Sequence, residues 1–494
     1  MHLIDPKGHS RRAFLRRSGQ LAIAGTALPF ALNLAAMGEA AAQAAAGDDY
    51  KALVCIFMYG GNDHANTVVN YDADSYTRYS TIRGGNGDAG GGVALAKASL
   101  AATVLNPATA LPGARQYALH PSMKALADVF NNPADGKLAI QLNVGPLVVP
   151  LTRVQYANNN RTLYPVPAKL FSHNDQQATW QSSAPEGSVI GWGGTIGDQI
   201  LGGNTNSLFT CISVSGNAVF LSGRSALQYQ VSTGGAVGIN SVTNPSVYGS
   251  SSVKSAMTQL VQQSRSNMLE NEYNKVTARS IAAEGQVTSA IAPATFSNDT
   301  FAGITNNSLA EQLKMVARLI RGRTTLGAKR QVFFVSMGGF DLHDSLIGNH
   351  PALLQRMSDA MAAFHRQMVA QGIGDKVTTF TASDFGRTLA SNGDGTDHGW
   401  GSHHFMLGGA VKGRAFYGTA PPVSITNTTA DNDQWHVGQG RLLPTTSVDQ
   451  YAGTLAKWFG VPDGELNAIL PSLKNFGVTA PSGLVYPRDM GFMA

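Results

Sequence analysis

Twice along the chain a nearly unbroken apolar run of strand length ends in Gly-Gly and then an acid. Lys51–Met58 (KALVCIFM) runs into Tyr59-Gly60-Gly61-Asn62-Asp63, and residues 331–336 (QVFFVS) run into Met337-Gly338-Gly339-Phe340-Asp341. A strand without polar alternation has both faces covered, as in a parallel sheet between two helical layers. Further apolar runs at 137–144 (KLAIQLNV), 207–214 (SLFTCISV) and 376–380 (KVTTF) read as strands of the same sheet. Helical periodicity falls between them at 308–320, 351–369 and 445–459, where Met357, Met361 and Met368 read as core. The pattern predicts an α/β protein with a doubly wound, mostly parallel sheet flanked by helices.

In such a sheet, ligands collect at the carboxyl ends of the strands. Asp63 follows the first run and is a metal-ligand candidate, with Asn62 or Asp63 also placed to cap a helix. After the second Gly-Gly, Asp341 and His343 are two apart, so on extended backbone both face one cation. The run at 376–380 enters the richest stretch of the chain, residues 381–405 (TASDFGRTLASNGDGTDHGWGSHHF). It supplies Asp384, Asp397, His398 and one of His403 and His404, since neighbours on a strand face opposite sides; His404 is the choice. Turn chemistry accounts for residues 392–395 but not for three histidines in the next nine residues. Arg387 can clamp an oxyanion or sit in a structural ion pair. Ser172, just before a helix, can cap it or act as a nucleophile.

The amino terminus carries Ser10-Arg11-Arg12-Ala13-Phe14-Leu15, an apolar run over 21–32 and an Ala-rich stretch. This reads as a twin-arginine signal peptide over residues 1–46, recognised by the twin-arginine export machinery. The apolar run is short for a membrane span, which takes about 20 residues. The mature chain is therefore expected in the periplasm or secreted, with no stable span. Without that segment the formal net charge drops from +5 to +2, with 31 Lys and Arg against 29 Asp and Glu. A near-neutral chain gives no support for nucleic acid as partner. Two cysteines, Cys55 and Cys211, exclude thiolate zinc sites and iron–sulfur clusters and leave open one disulfide or two buried thiols. Residues 71–119 have little periodicity and read as a surface excursion. A Ser-, Asn- and Gly-rich region at about 215–300, with a helical pattern over 253–291, reads as an insertion in a single domain spanning 47–494. No phosphate loop, dinucleotide fingerprint or nucleophile elbow is present.

Six motifs in order are Gly60–Asp63 (GGND), Ser172-His173, Gly339–His343 (GFDLH), Ser383–Thr388 (SDFGRT), Gly395–Gly399 (GTDHG) and the segment 447–460. Through them the mature chain resembles the exported family catalogued as domain of unknown function 1501. That family is assigned to the alkaline-phosphatase-like fold of sulfatases and phosphatases. The resemblance implies metal-dependent hydrolysis of small or polymeric phosphate or sulfate esters, with Ser172 as nucleophile. It implies a divalent metal, zinc first and manganese or calcium as alternatives, on Asp63, Asp341, His343, an Asp-His pair and a final His. By strand context that pair is Asp384-Phe385, where the superfamily's His is a Phe; by letters it is Asp397-His398. The alternative function is a binding or envelope-associated protein that keeps the fold without turnover.

Overall fold

The computed structural model describes residues 49–480 and 483–494; the expected signal peptide lies outside them. In chain order the strands of the main sheet begin with β1 (Lys51–Met58), β2 (Leu138–Gly145), β3 (Cys211–Ser213), β4 (Gln228–Ser232), β5 (Gly235–Ala236), β6 (Arg330–Met337) and β7 (Val377–Ser383). A separate hairpin of β8 (Arg387–Ser391) and β9 (Thr396–His398) follows, then β10 (Ser402–Gly408), β11 (Ala415–Tyr417) and β12 (Thr446–Ser447). The main helices are α1 (Ala73–Ile82), α2 (Lys124–Asn131), α3 (His173–Ser182), α4 (Trp192–Ile200), α5 (Ser251–Gln262), α6 (Met268–Ala290), α7 (Ser308–Arg321), α8 (Leu346–Ala370) and α9 (Val448–Phe459).

Ten strands form one sheet in the order β11-β2-β10-β7-β1-β6-β3-β4-β5, with β12 also on β2. Among these strands only β10 and β5 run against their neighbours, so the sheet is mixed and mostly parallel. The apolar runs are explained by the two cores they serve. Ala52, Val54, Ile56 and Met58 of β1 face one core with Leu313 and Val316 of α7 and Met357 and Met361 of α8. Leu53, Cys55 and Phe57 face the other, with Trp192 of α4 and Tyr451 and Leu455 of α9. Cys55 and Cys211 are free, buried thiols, and burial pushes the Cys211 thiol up to about 12.

The register of β1 sets the functional edge. Met58 pairs with Met337 of β6 on one side and Ser383 of β7 on the other, so three strands end level. The segments carrying Asp63, Asp341 and Asp384 therefore leave the sheet side by side. Gly60, at φ +115°, allows the first two turns to touch: a Cβ there would meet Asp341 N at 2.4 Å.

Several expectations are corrected. The strand expected over 207–214 is only Cys211–Ser213, because the Asn206 side chain accepts from Leu208 N and caps a 3₁₀ turn in front of it. The helical pattern over 253–291 is two helices, the second capped by Asn267, whose side chain accepts from Leu269 N and Glu270 N. Residues 71–119 are more than a surface excursion, since they contain α1 with Tyr76, Tyr79 and the following Arg83 fully buried. The segment after α9 packs back onto the core, with Leu470, Leu473 and Phe492 buried beside that helix.

One buried carboxyl ties the two ends of the fold together. Asp449, in the first turn of α9, accepts from Ser183 Oγ at the end of α3 (2.9 Å) and from Ser472 N (2.8 Å). Burial pushes its pKa from 3.8 up to about 6, against the lowering effect of those bonds. A carboxyl raised on folding holds its proton more tightly in the native state, so its contribution is complete below about pH 4 and lost as pH rises through 6. Denaturant melts at pH 4.5 and 7 are expected to show wild type losing about 2 kcal/mol more than Asp449→Ala between the two. Equal losses in the two proteins would remove this assignment.

Candidate metal centre

Three imidazoles from three distant segments converge on one carboxylate. Asp341 leaves the end of β6 after the Gly-Gly turn. Its Oδ1 lies 3.1 Å from His343 Nε2 and 3.2 Å from His398 Nε2, and its Oδ2 lies 3.3 Å from His173 Nε2. His343 Nε2 and His398 Nε2 are themselves 2.9 Å apart. His173 is the first residue of α3, and His398 ends β9. Ligand atoms of His173, Asp341 and His398 all lie within 4.8 Å of one another, the spacing of donors around one ion.

The outer nitrogen of each ring settles what the inner one does. His398 Nδ1 is 2.7 Å from the Phe171 carbonyl, which can only accept, so Nδ1 carries the hydrogen. His173 Nδ1 is 2.6 Å from Asp384 Oδ2, and His343 Nδ1 is 3.3 Å from Asp397 Oδ1. In the neutral tautomer each ring then turns an Nε2 lone pair toward Asp341. Lone pairs facing a carboxylate at about 3 Å repel unless a proton or a cation lies between them. A cation among His173, Asp341 and His398, the three whose ligand atoms group within 4.8 Å, relieves their contacts, with His343 Nε2 beside Asp341 and His398 as a further donor. Outer hydrogen bonds of this kind are how proteins orient histidine ligands.

Buried groups hold the arrangement. Asp384 is fully buried, and its Oδ2 also accepts from Gly60 N (3.1 Å) and Gln177 Nε2 (2.9 Å), while Oδ1 has no partner. His173 and Gln177, four apart on α3, grip the same oxygen. Arg387 is buried, and its Nη1 donates to Asp341 Oδ1 at 2.6 Å and to Gly60 O at 3.3 Å; its Nη2 and Nε reach Thr396. Burial works against ionisation of Asp341, and the hydrogen bond and charge of Arg387 override it and hold the carboxyl below its usual range. The Asp384 hydrogen bond raises the His173 pKa against burial, whereas burial lowers that of His398. The buried Phe385 ring walls the pocket, 4.9 Å from the His173 ring and 4.6 Å from that of His398. A Cβ on Gly61 would strike that ring at 2.4 Å.

The sequence matches the model of the family described as protein of unknown function DUF1501 over residues 50–470, a span that includes all four converging side chains. The chain belongs to the DUF1501 family. No curated protein matches it. In this DUF1501 chain the expected ligand set divides into three groups. Asp341, His343 and His398 come together; Asp384 and Asp397 stand one step behind, on the outer nitrogens of His173 and His343. Asp63 and His404 are elsewhere. Asp63 is the N-cap of His64–Thr67 and is bound by Arg83 Nη2 at 2.7 Å, with Thr396 Oγ1 at 3.1 Å. His404 is buried between Trp180 and Tyr451 with Thr381 Oγ1 3.3 Å from its Nδ1, and burial pushes its pKa down to about 3. Its neighbour His403 lies on the opposite face against His64.

Ser172 occupies the N-cap of α3 without taking the cap bond; its Oγ donates to Asp175 Oδ2 at 2.8 Å. Arg387 has its donors committed inside the protein, which makes it a support for Asp341 and leaves it no face toward an incoming anion. His173 is the member that sequence reasoning passed over. Its signal was the i, i+4 pairing with Gln177 at a helix start, which puts two donors on one face.

Proposed function

We propose that this chain is a metal-dependent hydrolase of phosphate or sulfate esters with an alkaline-phosphatase-like fold, exported by the twin-arginine route to the periplasm or beyond. The observation that carries the reading is the convergence of three Nε2 atoms on Asp341 with each outer nitrogen held by an acceptor. The donor set fits zinc, whose ordinary ligands are imidazole and carboxylate. Manganese is the alternative, and three imidazoles argue against calcium, which takes oxygen ligands. A divalent cation bound there supplies Lewis acidity toward a phosphoryl or sulfuryl oxygen.

The chain's own groups do the rest. Arg387 keeps Asp341 ionised and aimed, and Asp384, Asp397 and the Phe171 carbonyl fix the tautomers of the three rings. Ser172 takes the nucleophile's role, with the Asp175 carboxylate at 2.8 Å placed to accept its proton as the oxygen attacks. The second reading, a metal-holding envelope protein without turnover, draws support from that same hydrogen bond, which keeps the Ser172 hydroxyl inside its own helix turn. Among the described residues no helix is long and apolar enough to cross a membrane.

Elemental analysis of protein purified without added metal is expected to find one zinc or manganese per chain. The zinc-loaded chain is expected to cleave an aryl phosphate or aryl sulfate, with Ser172→Ala slower by about three orders of magnitude. Turnover that survives both chelation and Ser172→Ala would remove the hydrolytic reading. Bound metal with no turnover on either ester would select the second.

A further inference from the structure

A centre that acts on an oxyanion ester needs a cationic side chain free to meet the anion, and most basic groups near this one are committed. Arg387 is buried on Asp341, Gly60 and Thr396. Arg83 is buried on Asp63. Lys169 is paired with Asp175 at 3.7 Å and Glu186 at 3.6 Å. Arg441 differs. Its Nε donates to the backbone carbonyl of His398 at 2.7 Å, and its guanidinium lies over the Phe171 ring, 5.3 Å from the centroid. Among the described residues that guanidinium forms no ion pair within 4 Å and no hydrogen bond beyond the one from Nε; the Asp397 carboxylate acts on it only through space.

These contacts close a ring of three residues around a converging histidine. The Phe171 carbonyl receives His398 Nδ1, the His398 carbonyl receives Arg441 Nε, and the Arg441 guanidinium stacks back on Phe171. The hairpin that carries Arg441 is pinned by Val437 N to Arg441 O and by Gly401 N to Leu442 O, each 2.9 Å. Arg441 is half-buried and cannot swing away as a long surface side chain would. A guanidinium held by Nε and one face presents its two Nη groups as a fork, the geometry that grips two oxygens of a tetrahedral oxyanion. The charges agree. With Arg387 on Asp341 and Arg441 near Asp397, Asp384 is the one carboxylate of the site left without an arginine, so a divalent cation leaves the site one positive charge in excess.

We infer that Arg441 is the side chain that binds the oxyanion of the substrate at this centre, beside the cation held by His173, His343, His398 and Asp341. The inference rests on the metal-centre reading above and adds to it the group that meets the phosphate or sulfate. A residue that only straps His398 in place would act through the metal; one that meets the anion acts on the anion while the metal stays.

The test is calorimetric titration of inorganic phosphate and of sulfate into the zinc-loaded full chain, with zinc content measured on the same samples. Arg441→Gln is expected to keep one zinc per chain and to bind phosphate about tenfold to a hundredfold more weakly, the loss of one charge-assisted fork. Arg441→Lys, which keeps the charge without the fork, is expected to fall between. Phosphate affinity unchanged in Arg441→Gln at full zinc content overturns the assignment and leaves the metal centre standing. Zinc lost from both variants shows a strap and overturns it as well. Wild-type chain that holds no zinc overturns the metal reading and this inference together.

Discussion

Asp341→Ala is expected to lower the affinity of the chain for zinc by about a hundredfold or more. Asp341 is the one side chain that touches every other member of the centre: Arg387 Nη1 at 2.6 Å, and the Nε2 atoms of His343, His398 and His173 at 3.1, 3.2 and 3.3 Å. The same change takes one charge-assisted partner from the buried Arg387, which keeps Gly60 O and Thr396 as acceptors; with Asp341 itself 42% exposed, the cost in stability is about 1–3 kcal/mol. His343→Ala separates the two effects, because it removes an imidazole without touching Arg387. It is expected to lose zinc while keeping the denaturation midpoint of the metal-free wild type. Asp384→Ala tests the outer layer, with an expected tenfold to hundredfold loss as His173 loses its orienting acceptor. Zinc titration of the four proteins, with a chemical melt of each, reads all of this. Unaltered zinc affinity in both Asp341→Ala and His343→Ala would leave the cluster as hydrogen-bonded side chains and nothing more.

Strand runs and helix periods are local properties, and there the sequence was a good guide. The continuous apolar runs at 51–58 and 331–336 became β1 and β6 because they lie between two helical layers, and the Gly-Gly-acid pattern after them marked the edge where Asp341 emerges. Which distant segments meet is not local. His173 and Asp384 are 211 residues apart, and no period in either segment reports that Nδ1 and Oδ2 lie 2.6 Å from each other. His404 was chosen over His403 on the sound premise that strand neighbours face opposite sides, yet both sides of β10 lead into protein rather than to the converging imidazoles. Asp63 was the more instructive case. Its place after β1 made it a ligand candidate, but its partner Arg83 follows a helix in a stretch too rich in Gly and Ala to show periodicity.

That pair yields the second large expected effect, on stability with the metal unchanged. Arg83 and Asp63 are both buried, with Nη2 2.7 Å from Oδ2 and 3.0 Å from Oδ1. Burial works against ionisation of Asp63, and the Arg83 charge, with His350 and His64, overrides it and holds the carboxyl well below its usual range. A carboxyl depressed on folding contributes stability above its unfolded pKa, near 4, and loses it as pH falls further. Asp63→Ala leaves a guanidinium uncompensated in the interior, whose Nε and Nη1 already lack partners, and is expected to cost about 3–5 kcal/mol. Arg83→Met is expected to cost less, because the carboxylate keeps Asn66 N and Thr396 Oγ1 as donors. The double variant should recover part of the sum, with a coupling energy of about 1–3 kcal/mol in a denaturant cycle. Zinc content should stay at one per chain in all three, since His173, His343, His398 and Asp341 are untouched. A ligand at position 63 would behave otherwise: Asp63→Ala would shed metal, and a chain relieved of Arg83 would be open to a second equivalent.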